Sequence, residues 1–204
     1  CTSESLEPIF AALSKNRTWI TPTYVAQVEV AYWPKRELPG DAYAPYIPDT
    51  LKKFVAAIFP MPDSIPSDAD VVGRAMFDKR VALAGAMNRA GVHLLAGTDS
   101  PLRNSPPGFG LAEELRLFAK GGLSLFDVLK VATWERASYF DILATAGTVE
   151  PGKVADLVIL DANPLIDVAN YRSVSSVVAN GRLYDLAARR IILARLRAAG
   201  KSER

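Results

Sequence analysis

The sequence predicts an α/β fold with a small β-rich segment near its C-terminus. Two stretches, 18–25 and 92–96, have the composition of strands, and each follows a segment with helical spacing of apolar residues. Helices that alternate with buried strands on short connections favour a parallel sheet. After residue 146, short apolar runs separated by turn residues replace the helical spacing. We therefore expect an α/β unit followed by a β appendage.

The first helix is predicted from an apolar stripe that begins after Ser3, a residue suited to helix capping. The residues of this stripe are Leu6, Ile9, Phe10 and Leu13. Residues 18–25 follow, and their β-branched and aromatic side chains predict a strand in which Pro22 ends the regular pairing.

A long connection rich in proline and aromatic residues spans 31–66, with a short predicted helix at 51–58. Such a connection after a strand can serve as a lid over a binding site. An ordered surface excursion explains the same composition, and both interpretations stay open here.

The second helix–strand unit begins at a capping box formed by Ser67 and Asp70, and Gly91 is predicted to end its helix. The predicted inner stripe of this helix is Val72, Met76, Leu83 and Met87. Residues 92–96 form the predicted buried strand, and residues 97–105 form its C-terminal loop.

The rest of the chain is predicted to carry helices first and strands second. Apolar spacing from Leu111 to Phe118 predicts one helix, and a Ser124–Asp127 capping box predicts another that runs to about residue 140. The predicted strands are 147–149, 155–160, 173–179 and 182–184, with an Asn180-Gly181 hairpin turn and a final basic helix at 186–199.

Composition excludes several kinds of site. The chain is 50% hydrophobic and 23% charged, as globular proteins are, and its net charge of +2 gives no reason to expect nucleic acid. The single cysteine, Cys1, excludes an internal disulfide. The single histidine, His93, excludes a multi-histidine metal site made by this chain alone.

The chain also lacks signals for membranes and export. No apolar run approaches the ~20 residues of a membrane span, so no membrane partner is expected. The first residues have neither an initiator methionine nor the order of a signal peptide. We expect that the chain begins inside a longer protein, unless it was trimmed or lost a leader. The location of that protein stays open, with the cytoplasm favoured.

Asp99 is the leading candidate for chemistry. It follows the predicted buried strand at its C-terminal end, where parallel-sheet folds place catalytic groups. A carboxylate there can bind a divalent cation and accept a proton from metal-bound water. Thr98 and Ser100 could orient it by hydrogen bonding. Spacing alone favours the simpler interpretation that Asp99 only caps a turn.

Other polar residues have structural explanations. His93 lies six residues before Asp99, roughly 20 Å away along an extended strand, so the two cannot share a metal and His93 is predicted to be structural. Glu113 and Glu114 open a helix, whose positive end favours acidic residues. An additional role of Glu114 in anchoring its loop stays open.

Several motifs together resemble the C-terminal half of metal-dependent amidohydrolases, and the imidazolonepropionase-like branch is the nearest match. The motifs are Gly97-Thr98-Asp99, Glu113-Glu114-Leu115, the segment 122–137 and the segment 147–161. The last of these is long and specific. The resemblance runs from the first helix to Tyr184 and is weakest at 31–66 and in the basic tail.

The resemblance implies a (β/α)₈ barrel of the TIM type that holds one or two divalent metals, usually zinc. Asp99 matches the eighth-strand aspartate, which ligates metal, takes a proton from the attacking water and delivers it to the leaving amine. Residues 21–23 match the end of the seventh strand, so Thr23 and Ser100 are weak candidates for substrate binding. The implied domains are a partial barrel at 1–143, part of a β-sandwich at 144–185 and a basic helix at 186–204.

The departures from the family pattern are informative. The chain has no His-x-His motif, and Ala112 stands where related sequences often carry a histidine. With two barrel strands and one carboxylate, the chain alone should hold no metal tightly and should be inactive. A missing N-terminal half or another chain must complete the site, and the protein could also be a homo-oligomer.

The predicted activity of the complete protein is hydrolysis of a C–N bond in a small amide, cyclic amide or amidine, or dipeptide-like substrate. Two alternatives stay open. One is a non-catalytic scaffold or subunit with the same fold, and the other is a barrel hydrolase that acts on ester, lactone or phosphoester bonds.

Overall fold

The computed structural model describes residues 3–31, 39–60, 67–103 and 105–202, so Cys1 and parts of the predicted lid lie outside it. The helices are α1 (Ser3–Lys15), α2 (Tyr24–Ala31), α3 (Asp49–Ile58), α4 (Ser67–Arg89), α5 (Gly110–Lys120), α6 (Leu125–Ala132), α7 (Trp134–Tyr139) and α8 (Leu186–Ser202). The strands are β1 (Trp19–Ile20), β2 (His93–Leu94), β3 (Leu157–Leu160), β4 (Val174–Ala179) and β5 (Arg182–Tyr184). Two 3₁₀ helices span Pro39–Tyr46 and Val168–Arg172.

Strands β1 and β2 form the parallel pair that the sequence predicts. Trp19 lies opposite His93 and Ile20 lies opposite Leu94. The N–H of Leu95 extends the ladder by donating to the carbonyl oxygen of Ile20 at 2.9 Å. The two strands are adjacent although 72 residues separate Ile20 from His93, so the alternating α/β order is confirmed.

Helices α2, α4 and α5 pack against one another and enclose the core. Val25 of α2, Val81 of α4 and Phe118 of α5 are buried there. Helix α5 ends against α4, where the N–H of Gly85 donates to the carbonyl oxygen of Gly121 at 2.9 Å. A Cβ atom at Gly121 would lie 2.3 Å from the carbonyl oxygen of Val81, so this approach requires glycine.

The prediction of a strand over 18–25 is wrong at its C-terminal end. Regular pairing stops after Ile20, and Tyr24 begins α2. The strand propensity of Tyr24 and Val25 is overridden because their N–H groups bond to the side chain of Glu114 in α5.

The predicted inner stripe of α4 is partly wrong. Val72 and Met76 are 56% and 48% exposed, whereas Met87 is buried and Leu83 packs against the core, as predicted. The other buried hydrophobic residues in the described part of α4 are Phe77, Val81 and Ala84. These three also recur at helical spacing, and their row is the one that faces α2 and α5. Gly91 follows α4 with a φ of +75°, as predicted for a residue that ends a helix. The side chains of the Ser67–Asp70 capping box lie outside the described part of the chain.

The predicted helix from 125 to 140 is two helices. Its capping box is confirmed, because the N–H of Asp127 donates to the hydroxyl of Ser124 at 3.1 Å. The backbone turns at Thr133, whose hydroxyl bonds back to the carbonyl oxygen of Leu129 at 2.8 Å. Such a side-chain bond to the preceding turn competes with regular helix continuation.

The β appendage is a three-stranded antiparallel sheet in the order β3–β4–β5. Asn180 and Gly181 both have positive φ, 49° and 74°, as a two-residue hairpin of type I′ requires, so the predicted hairpin is confirmed. The predicted strand at 147–149 is wrong: Gly147 and Thr148 form a bend and Val149 has no regular structure. Gly147 packs on Ala137, where an added Cβ atom would lie only 2.4 Å from Cβ of Ala137.

Helix α8 packs on β4, β5 and the 3₁₀ helix at Pro39–Tyr46. Its Arg189 donates to the carbonyl oxygens of Val174 and Ser175, the second at 3.1 Å. The basic C-terminal helix is thus tied to the β appendage. Among the described residues, no helix combines the length and the apolar character that crossing a bilayer would require.

Candidate functional site

Asp99 lies just beyond the C-terminal end of β2, as the sequence predicts. Leu94, Leu95 and Ala96 are buried, and the chain reaches the surface at Asp99, which is exposed. Asp99 has a φ of +49°, in the left-handed region that few non-glycine residues adopt. The buried hydroxyl of Ser105 donates to the carbonyl oxygen of Thr98 at 2.6 Å and fixes the turn that carries this carboxylate.

The end of β1 lies directly beside this turn. A Cβ atom at Gly97 would lie 2.4 Å from Cγ2 of Thr21 and 3.7 Å from Cγ2 of Thr23, so only glycine fits at position 97. Thr23 also has a left-handed backbone, with a φ of +50°. The structure therefore brings Thr23 and the turn that carries Asp99 together at one edge of the parallel pair. Ser100, the other candidate for substrate contact, is exposed next to Asp99.

Glu114 is fully buried and crosses from α5 to the start of α2. Its Oε1 accepts a hydrogen bond from the N–H of Tyr24 at 3.1 Å, and its Oε2 accepts one from the N–H of Val25 at 2.7 Å. The carboxylate thus satisfies two N–H groups that a helix N-terminus leaves without an intrahelical partner.

The ionisation of Glu114 reflects two opposing effects. Burial raises its pKa to about 7 by penalising the charged form, and the nearby charge of Glu113 acts in the same direction. The hydrogen bonds from Val25 and Tyr24 favour the charged form and offset part of this rise. The sequence explains Glu114 by the helix dipole and leaves open a role in anchoring its loop, but it does not predict the bonds to α2. Its spacing to the buried Leu117 and Phe118 places it on the apolar face of α5, which is the signal that could have revealed its burial.

Glu113 is also buried but has different partners. Its Oε1 accepts a hydrogen bond from Arg116 at 2.6 Å, and its Oε2 accepts one from Arg172 at 3.2 Å. These residues and Ala112 line an open cavity of about 300 Å³ between α5 and the 3₁₀ helix at Val168–Arg172. The ion pairs tie the α/β unit to the β appendage.

The 31–66 connection contacts the loop that follows Asp99. Tyr43 stacks on Phe109, with ring centroids 4.2 Å apart and 15° between the planes, and the ring of Tyr46 lies 5.6 Å from Phe109. Phe109 immediately precedes α5. The described part of the connection therefore lies against the loop after β2, a contact that a lid and an ordered surface excursion would both make. Residues 32–38 and 61–66 of the predicted lid lie outside the description.

His93 lies at the opposite end of the strand pair from Asp99. Its ring stacks on Trp19 with centroids 4.4 Å apart, and its Nδ1 lies 3.2 Å from Oε2 of Glu135. Both contacts are internal packing contacts, in agreement with the structural role that the sequence predicts.

The described residues supply only part of a metal coordination site. Within the described residues, no three His, Cys, Asp or Glu side chains come close enough to hold an ion. Asp99 can supply one hard oxygen ligand, and a structural or catalytic zinc site needs at least three protein ligands. Among the described residues, Asp99 could therefore offer a metal one ligand, and further ligands would have to come from outside them.

Comparison with known proteins points to one family. A family model described as "Amidohydrolase family" matches residues 61–184. No curated protein matches the chain.

Solved structures show the same fold at low identity. A bottromycin amidohydrolase has a TM-score of 0.66 and 23% identity, over 89% of this chain and 40% of that one. A prolidase complexed with N-methylphosphonate-L-proline has a TM-score of 0.57 and 24% identity, over 88% and 38%. A putative prolidase from Bifidobacterium longum has a TM-score of 0.56 and 22% identity, over 88% and 39%. The chain thus spans about two fifths of the length of these structures.

Proposed function

Because the chain belongs to the amidohydrolase family, we propose that it is the C-terminal part of a metal-dependent hydrolase that cleaves a C–N bond in a small amide-type substrate. The observation that carries the proposal is the position of Asp99. Its carboxylate follows a parallel strand, and the turn that holds it contacts the end of the neighbouring strand. In barrel enzymes, catalytic groups stand at these strand ends.

In this proposal β1 and β2 are the seventh and eighth strands of a (β/α)₈ barrel. Within the described residues each of the two strands has one partner, so each leaves one edge open. The other six strands would close the barrel from a preceding segment or from a different chain. The three strands of the appendage would contribute to a small β-sandwich beside the barrel.

Asp99 would be the residue of this chain that ligates a divalent metal, with zinc the first candidate. When bound, the metal would activate water and polarise the carbonyl group of the substrate. Asp99 would accept the proton of that water at its carboxylate and deliver it to the leaving amine, which is general acid–base catalysis by one group. Thr23, which lies close to Gly97, and Ser100, which follows Asp99, would help to orient the substrate.

Replacement of Asp99 by asparagine tests this role in the complete protein. The change keeps the shape and tolerates the left-handed backbone, but it removes the charge and the proton acceptor. We expect kcat/KM for an amide substrate to fall by at least about 100-fold, the usual contribution of acid–base catalysis, and the metal content measured by elemental analysis to fall as well.

The matched control is Asp141→Asn. Asp141 is also exposed and also has a left-handed backbone, with a φ of 55°, but it follows α7 and lies outside the strand-end site. Its replacement should leave kcat/KM and metal content unchanged. If Asp99→Asn kept full activity, the assignment of Asp99 would be wrong.

The non-catalytic scaffold is the second candidate, favoured by the incomplete ligand set of the described residues. A His-x-His strand and further strand-end histidines upstream of Cys1 would favour the enzyme, and their absence would favour the scaffold. Residues 1–204 alone should show no metal-stimulated turnover and should associate through their open strand edges. Turnover by this segment as a clean monomer would contradict the truncated-barrel proposal.

A further inference from the structure

We propose that Glu114 is a positioning residue that holds Thr23 in its left-handed conformation and thereby aligns the two strand ends around Asp99. The inference rests on the proposed function, because it assigns a task to a residue that would not itself touch substrate or metal. It is carried by three observations: the hydrogen bonds of Glu114, the backbone of Thr23 and the contact between Thr23 and Gly97.

The hydrogen bonds of Glu114 begin at the residue that follows Thr23. Tyr24 and Val25 donate to opposite oxygens of the same carboxylate, at 3.1 and 2.7 Å. A helix start is usually capped by the side chain of the residue that precedes it. Here the cap comes from a different helix, 90 residues along the chain, so the start of α2 is fixed relative to α5.

The left-handed backbone of Thr23 has to be stabilised by its surroundings. A β-branched residue at a φ of +50° is a steric outlier, and strained residues of this kind persist only when their surroundings determine them. On the C-terminal side of Thr23, Glu114 fixes the N–H groups of the next two residues. On the N-terminal side of Thr23, Pro22 has a restricted backbone of its own.

The close approach of Thr23 to Gly97 would transmit this position to the site. A Cβ atom added at Gly97, two residues before Asp99, would lie 3.7 Å from Cγ2 of Thr23. If the left-handed turn at Thr23 relaxed, its side chain would move away from Gly97. The spacing between the end of β1 and the turn that carries Asp99 would then no longer be defined.

The neighbouring Glu113 provides a matched comparison. It lies on the same helix and is buried to a similar degree, but its carboxylate binds Arg116 and Arg172 rather than the start of α2. Replacement of Glu113 therefore controls for the loss of a buried charge from α5 without disturbing Thr23.

The test compares wild type, T23G, E114Q and the T23G/E114Q double variant of the complete protein by hydrogen exchange with mass spectrometry. E114Q should raise exchange about tenfold or more in peptides covering 22–26 and 97–100. In the T23G background the same change should raise it about threefold or less, because glycine adopts a left-handed backbone without strain. E113Q should raise exchange near Arg172 and leave 22–26 unchanged.

Equal effects of E114Q with and without T23G would overturn the proposal, because Glu114 would then be only a helix cap. A uniform rise over all peptides, or no rise at 97–100, would overturn it too. If E114Q does not fold, Glu114→Asp is measured instead and should give a smaller rise at the same two segments. Exchange does not depend on turnover, so these outcomes are separate from the Asp99→Asn test of the hydrolase function.

Discussion

The two ends of the β1–β2 pair differ in structure, although each strand is only two residues long. At the N-terminal end, Trp19, His93 and Tyr139 pack ring against ring, and His93 lies 3.2 Å from the carboxylate of Glu135. At the C-terminal end, Thr23 and Asp99 carry left-handed backbones, and Asp99 is exposed. Left-handed residues also precede the two strands, at Arg17 and Gly91, so the ends differ in what lies beside these turns: packed rings at one end and an exposed acid at the other.

Under the proposed function, this difference would separate stability from chemistry along the strands. In parallel barrels the N-terminal face contributes stability and the C-terminal face carries chemistry. Backbone strain is found where a site needs a fixed geometry, and it must be offset by contacts elsewhere. Glu114 and the close approach at Gly97 are two such contacts in this chain. Each end of the strand pair should therefore respond to substitution as its contacts indicate.

The largest expected effect is a pH dependence that comes from Glu114. Its pKa is raised from 4.5 to about 7 in the folded state, chiefly by burial. The unfolded chain therefore loses this proton at lower pH than the folded chain does. Its contribution to stability is fully present below about pH 4.5 and is lost as the pH rises through about 7, by roughly 3 kcal/mol in total. Urea unfolding measured between pH 5 and pH 8 should show this fall.

The groups that face Glu114 supply the controls. They are the neighbouring carboxylate of Glu113 and the buried hydroxyl of Tyr24, whose pKa is raised by burial and by the charge of Glu114. Glu114→Gln should remove the fall in stability between pH 5 and pH 8, and Glu113→Gln should keep most of it. If stability rose over this range, the hydrogen bonds from α2 would outweigh the burial of the charge.

The second prediction concerns the close approach at the functional end. Gly97→Ala would place a methyl group 2.4 Å from Cγ2 of Thr21, and the forced shift should cost about 1–3 kcal/mol of unfolding free energy. Thr21→Ser removes the opposing methyl group, so the Gly97→Ala/Thr21→Ser double variant should recover much of the loss. Chemical denaturation of the three variants measures both effects.

A matched control for that substitution is Gly73→Ala. A Cβ atom at Gly73, inside α4, meets nothing within 4 Å, so alanine should be neutral or stabilise by about 0.5–1 kcal/mol through helix propensity. If Gly97→Ala were equally harmless, the two strand ends would not be held as tightly as their geometry indicates.

The sequence predicts the positions of strand ends and turns better than it predicts contacts between distant residues. Asp99, Gly91 and the Asn180-Gly181 hairpin follow from local rules, since strand ends and turns are encoded by neighbouring residues. The bonds from Tyr24 and Val25 to Glu114 span about 90 residues, and no local pattern specifies such a partner. For the same reason, the sequence does not predict that Tyr24 and Val25, which have high strand propensity, begin α2.

The smallest expected effect belongs to the packed end. His93→Phe keeps an aromatic ring against Trp19 but removes the hydrogen bond to Glu135, which is mostly buried. We expect a loss of about 1–2 kcal/mol in unfolding free energy, because the mostly buried carboxylate of Glu135 loses this hydrogen bond and keeps the more distant Lys130, 3.8 Å from its other oxygen. Lys130→Ala should cost a few tenths of a kcal/mol, since that pair is longer and more exposed.

Neither change should alter hydrogen exchange at 97–100, because the packed end lies on the far side of the strand pair from Asp99. If exchange at 97–100 rose with His93→Phe, the two ends would be coupled, and the division between a stability end and a functional end would not hold for this chain.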